Sequence, residues 1–301
     1  FNSLLDTPMI RSAAEMVVGD DIYAPLSGLP DFLTEKEEVA DQLIAWQVAW
    51  MSKFDIDYYR VDTAKHVEPV VWAEFKNELA KVDQDFKLIG EYYGAGYTNT
   101  AGQLDSGKMD ALLDFDTNDK VGALVGGDIQ AAEAFLAGRN QALSSTATLG
   151  GFLSSHDEDS FVDGLMNGGR TEEEALALAK VAATVQLTAK GQAVIYYGEE
   201  IGQHGLSSDY PIQSNRKDFN WAAAETQVGA ENSMFSHYRK VLSIRAAYKE
   251  IFANGDRTVV MLSDEEGYDI VKRSYRGESV YIALNITAAA KELTFPVDMA
   301  A

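Results

Sequence analysis

Apolar runs that end in a carboxylate recur along this chain. The run over 56–61 ends at Asp62, the run over 86–90 at Glu91, and the run over 148–153 just before His156 and Asp157. A buried strand that delivers an acid to its C-terminal end has this pattern. The stretches between the runs carry helical periodicity. Strands that alternate with helices pair in parallel, with the helices as crossovers. If such a sheet curls into a barrel, the C-terminal strand ends form one polar face.

Strands are expected over 56–61, 86–90, 109–115, 148–153 and 192–197. Helices are expected over 69–79, 129–143 and 171–188, the last opened by Thr171 and a glutamate run. Thr34-Glu35-Lys36-Glu37 has capping-box spacing, so a helix is predicted to open at Thr34, with Val39, Leu43, Trp46, Trp50 and Phe54 as its apolar stripe. Residues 1–32 read as irregular. After Tyr248 the texture changes to alternation over 257–262, 268–275, 279–284 and 291–295, which predicts a small antiparallel β domain. The expected βα strands end at Asp62, Glu91, about Asp116, Asp157 and Tyr197. A closed barrel of this kind has eight strands. The fold class expected is therefore α/β, a (β/α)8 TIM barrel with only about its last five βα units in this chain, followed by the antiparallel β domain. The first three strands are expected upstream of Phe1, and Phe1 is not expected to start the gene product.

The formal net charge of the 301 residues is -22, which repels a phosphate backbone or an anionic membrane surface. No nucleic-acid or membrane partner is expected, whereas a neutral polymer such as a polysaccharide is compatible. With no cysteine, a thiolate metal site and a cysteine nucleophile are excluded. No apolar run approaches the ~18 residues of a membrane span.

Asp62 follows Arg60 by two residues, so on a strand both side chains share a face. A guanidinium beside a carboxylate keeps it ionised, as a nucleophile needs; a structural ion pair is the alternative. Glu91 is followed by Tyr92 and Tyr93, and aromatic crowding raises a carboxyl's pKa, as a general acid needs; a plain surface glutamate is the alternative. His156 and Asp157 read as a hydroxyl-binding pair or a structural one. Two carboxylates flanking one bond suit cleavage of a glycosidic linkage. Glu199, Glu200 and His204 form a polar cluster whose spacing fits no standard metal motif. Gly122 and Gly127 have phosphate-loop spacing, but Asp128 stands where that loop needs lysine.

Four segments, Leu29-Pro30-Asp31-Phe32, Arg60-Val61-Asp62-Thr63-Ala64-Lys65-His66, Gly90-Glu91 and 152–157, resemble those of the α-amylase family, glycoside hydrolase family 13, in the family's order. The resemblance implies a secreted, retaining, endo-acting hydrolase of α-1,4-glucosidic bonds in starch-like α-glucans. Asp62 would be the nucleophile, Glu91 the general acid/base and Asp157 the transition-state stabiliser. Arg60 would orient Asp62, while Lys65, His66, His156 and Arg216 would meet substrate. Asp31 and the backbone carbonyl of His66 resemble ligands of a structural Ca²⁺. The alternatives are a dual α-1,4/α-1,6 amylopullulanase, a transglycosylase, an inert fragment or a non-catalytic carbohydrate-binding relative. Tyr58 stands where the family has glycine, and Ser155 where it often has asparagine. The implied division is 1–32 as the end of a loop domain inserted before the fourth barrel strand, 33–250 as partial catalytic barrel, and 251–301 as C-terminal β domain. The implied partner is the N-terminal barrel half. For a retaining pair, the Asp62 and Glu91 carboxyls are expected ~5–5.5 Å apart.

Overall fold

The structure, a computed structural model, describes residues 9–99, 104, 108–208 and 213–294. One sheet has five strands in chain order: β1 (Tyr58–Val61), β2 (Lys87–Gly90), β3 (Ala111–Asp114), β4 (Leu149–Phe152) and β5 (Gln192–Val194). A second, antiparallel sheet holds β6 (Asp256–Ser263), β7 (Tyr268–Tyr275) and β8 (Glu278–Asn285). This is the partial barrel and the separate β domain expected from the alternation. The chain forms two compact units, 1–115 with 147–150, and 116–146 with 151–301.

In the first unit β1, β2 and β3 pair in parallel, with Val61 opposite Gly90 and Gly90 opposite Leu112. A Cβ on Gly90 would stand 2.9 Å from Leu112 Cδ2 and 3.3 Å from Ala64 Cβ. Glycine there lets the strands close up directly before Glu91. Helix α1 (Glu37–Phe54) starts later than predicted. Lys36 is its extended N-cap, with no side-chain cap. The threonine of the predicted capping box is engaged elsewhere: the Thr34 hydroxyl donates to Glu68 Oε2 at 2.6 Å, and Glu37, its expected partner, is instead the first helical residue. Helix α2 (Pro69–Val82) begins with proline, whose fixed φ suits the first turn. It is anchored by Trp72 Nε1 donating to the Ala64 carbonyl at 2.9 Å.

The second unit carries α3 (Asp116–Gly126), α4 (Ile129–Ala142), α5 (Phe161–Asn167), α6 (Glu172–Thr188), α7 (Trp221–Gln227), α8 (Met234–Ala247) and α9 (Lys249–Asn254). Helix α6 has its full capping box, Thr171 bonding the Glu174 N–H and Glu174 returning to Thr171. The phosphate-loop glycines fall at a helix end, with Gly122 inside α3 and Gly127 just past it. Arg257 of β6 forms a buried ion pair with Glu133 of α4. The Arg273 side chain of β7 donates to the carbonyls of Thr188, Asp256, Ile251, Phe252 and Gly255. Of the strand expected over 291–295, residues 291–294 are not strand, and Phe295 lies outside the described residues. Among the described residues no helix is long and apolar enough to cross a membrane.

Candidate active site

In the first unit, β1 ends at Val61 and β2 at Gly90, so the next residues, Asp62 and Glu91, leave adjacent parallel strands at the same end. The backbone holds them in step: the Glu91 N–H donates to the Val61 carbonyl at 2.8 Å, and the Ala64 N–H to the Glu91 carbonyl at 2.9 Å. Arg60 reaches both acids. Its Nη1 pairs with Asp62 Oδ1, and its Nη2 lies 3.3 Å from Glu91 Oε2. The two-residue spacing thus produces the pair that the sequence predicted.

The acids differ in environment. The Asp62 side chain is 68% exposed and that of Glu91 only 17%. Burial raises the Glu91 pKa above its ordinary value, and the hydrogen bond its protonated form donates to the Asp62 carboxylate raises it further. The Thr63 N–H at 3.0 Å and the charge of Arg60 pull it back without cancelling the rise. Glu91 is therefore the member whose environment favours the protonated form, while Asp62 lies against the guanidinium. A side-chain hydrogen bond joins the two acids.

The sequence reading missed Thr63. It has φ 46°, left-handed, which is rare for a β-branched residue. This turn aims its N–H at Glu91. Lys65 and His66, expected to meet substrate, are engaged with Asp21: Lys65 Nζ lies 2.8 Å from Asp21 Oδ2, and His66 Nδ1 2.6 Å from the Asp21 carbonyl. A cavity of about 480 Å³ within this unit is lined by Asp31, Arg60, Asp62, Thr63 and His66, among others.

The second unit assembles its own cluster beyond β4. His156 Nε2 lies 3.0 Å from Asp157 Oδ2. Arg216 Nη2 lies 2.8 Å from Asp157 Oδ1, and its Nε donates to the His156 carbonyl at 2.8 Å. Arg216 is thus held by Asp157. Asn215, which the sequence reading gave no role, is buried, and its amide donates to the carbonyls of Ser155, His156 and Glu158 at 3.3, 3.0 and 2.9 Å. It clamps the segment that presents Asp157. Burial, with Asp119 and Asp157 nearby, raises the pKa of Glu158.

Glu199, Glu200 and His204 do not act together. Glu199 is partly buried with one carboxylate oxygen sealed from solvent, and desolvation pushes its pKa up to about 8. Glu200 accepts from the Gly198 N–H at 2.7 Å, and His204 pairs with Asp163 at 3.0 Å. Among the described residues no group of three or more His, Asp and Glu could hold a metal ion. Asp31 and His66 line one cavity, but the Asp31 carboxylate is bonded by the Arg11 guanidinium at 2.6 Å. A cation would have to displace that arginine, so the residues present do not fit a calcium ion.

The family model "Alpha amylase, catalytic domain" matches residues 22–223. The "Periplasmic alpha-amylase" of Escherichia coli (strain K12) is 27% identical over 273 residues, covering 82% of this chain and 36% of that protein. The "Neopullulanase 2" of Thermoactinomyces vulgaris is 27% identical over 223 residues, covering 72% of this chain and 34% of that protein. Among solved structures, an Anoxybacillus alpha-amylase superposes with TM-score 0.76 at 25% identity, over 95% of this chain and 61% of that one. The chain spans less than half the length of these curated relatives.

Proposed function

Because the chain belongs to the alpha-amylase catalytic-domain family, we propose that its protein is a retaining hydrolase that cleaves α-1,4-glucosidic bonds within starch-like α-glucans. The observation that carries the reading is the Arg60–Asp62–Glu91 cluster, in which one acid is partly buried with a raised pKa and the other is exposed and bonded to a guanidinium. In this reading Glu91 gives its proton to the glycosidic oxygen as that bond to the anomeric carbon breaks. An Asp62 oxygen bonds to the same carbon, giving a glycosyl ester. Water, deprotonated by Glu91, then attacks that carbon and frees Asp62. Asp157 takes the role of the third carboxylate on the strength of the resemblance.

The likeness to a neopullulanase keeps a second reading open, in which α-1,6 bonds are cleaved as well. Substrate is proposed to draw Lys65, His66, His156 and Arg216 away from their present partners. The chain is read as the C-terminal part of a barrel. Trp50 and Phe54 on α1 and Tyr58 on β1 are exposed, as a surface that receives further strands and helices would be. A polymeric substrate too large to enter a cell accords with an extracellular location.

The test uses the full-length protein and its Glu91→Gln variant on starch and on α-maltosyl fluoride. Fluoride leaves with little protonation. The variant is expected to lose roughly 10²–10⁴ in kcat on starch while still turning over the fluoride. Equal losses on both substrates would remove Glu91 from the acid role.

A further inference from the structure

The Arg11 side chain is 2% exposed although the segment around it has little regular structure. Its guanidinium is almost fully committed. Nε donates to Asp31 Oδ2 at 2.6 Å, and Nη1 and Nη2 grip Glu35 at 2.9 and 2.8 Å. Nη1 also reaches the Glu15 carbonyl at 3.4 Å, and the group lies 5.3 Å from the centre of the Tyr23 ring. The backbone runs alongside. The Arg11 N–H donates to the Asp31 carbonyl at 2.7 Å, the Leu33 N–H to the Met9 carbonyl at 2.8 Å, and Ile10 bridges Phe32.

We propose that the Arg11 guanidinium is the structural cation of this segment, holding Asp31 and Glu35 together as a bound divalent ion would, so that the wall of the cavity beside Asp62 is ordered without metal. Asp31 is the residue whose sequence context resembles a calcium ligand. Here its charge is met by a cation attached to the chain, which no chelator can extract. A fixed fork matches a carboxylate through paired N–H groups, where a calcium ion would need six to eight oxygens. The clip matters for the site because Asp31 and Phe32 line the cavity that Arg60, Asp62 and Thr63 also line. Without the guanidinium, Asp31 and Glu35 would be left as uncompensated acids, and such a pair is a donor set for a hard cation.

The test is the melting temperature of the full-length protein and its Arg11→Met variant, each in excess chelator and in millimolar Ca²⁺. The unsubstituted protein is expected to melt at one temperature in both conditions. A drop in chelator would overturn the proposal, since a native-state ligand stabilises by mass action. The variant is expected to melt roughly 6–12 °C lower in chelator and to recover part of that loss in Ca²⁺. An unchanged melting temperature, or a loss that Ca²⁺ does not touch, would overturn it too. If Arg11→Met does not fold, Arg11→Lys, which keeps the charge but loses the fork, is expected to show a smaller drop. The chelator comparison on the unsubstituted protein decides the matter regardless.

Discussion

At the residue scale, the division of labour between Asp62 and Glu91 rests on the partial burial of Glu91 and on one guanidinium that reaches both acids. Arg60 lowers the Glu91 pKa by its charge and pairs with Asp62. Replacing it with glutamine removes a positive charge from both, so the Glu91 pKa rises further and its protonated form persists to higher pH. The alkaline limb of the kcat/KM profile for starch is therefore expected to move upward in Arg60→Gln, while the plateau falls about 10–100-fold because Asp62 loses the guanidinium that orients it. An alkaline limb that stays in place or moves down would show that Arg60 does not act through Glu91. Arg60, Asp62 and Glu91 were legible in the sequence because strand periodicity fixes which side chains share a face. Thr63 and Asn215 were not. Thr63 acts through its backbone N–H in a left-handed turn, and Asn215 through an amide aimed at carbonyls in another loop. Neither donor leaves a mark on residue type or spacing.

At the scale of elements, the two capping boxes make the point from opposite sides. Thr171 and Glu174 form theirs, each bonding the other's backbone N–H. Thr34 and Glu37 have the same spacing, but the Thr34 hydroxyl is taken by Glu68 from distant sequence, and the helix begins later. The turn after β5 holds the other concealed feature. Glu199 lies among Ser154, Ser160 and Tyr238, with one carboxylate oxygen lacking a partner. Its pKa of about 8 in the fold lies far above the ~4.3 of an unfolded glutamate. The native state therefore binds the extra proton between those values. The stabilisation is complete below about pH 4.3, declines as pH rises, and is gone above about pH 8. Between pH 5 and 8 the unfolding free energy is expected to fall by roughly 2–4 kcal/mol from this group, and Glu199→Gln should flatten that decline in urea titrations. An unaltered slope in the variant would mean that Glu199 is ionised in the fold.

At the scale of the whole molecule, the alternation of strand and helix gave the architecture, and the separate antiparallel sheet followed from the change of texture after Tyr248. Helices α3, α5, α7, α8 and α9 went unread. Glycines in and beside α3 weaken its local signal, and α5 is too short for periodicity to declare itself. The central claim is that Asp62 forms a covalent bond to the sugar, and one measurement addresses it directly. The full-length protein would be incubated with 5-fluoro-α-maltosyl fluoride, which reacts to the glycosyl ester and releases it slowly, then digested with trypsin and examined by mass spectrometry. Cleavage after Arg60 and Lys65 isolates Val61-Asp62-Thr63-Ala64-Lys65, in which Asp62 is the only side-chain carboxylate. The account predicts a glycosyl adduct on that peptide, absent in Asp62→Asn. An adduct on any other peptide, or turnover of the reagent with no adduct at all, would contradict it.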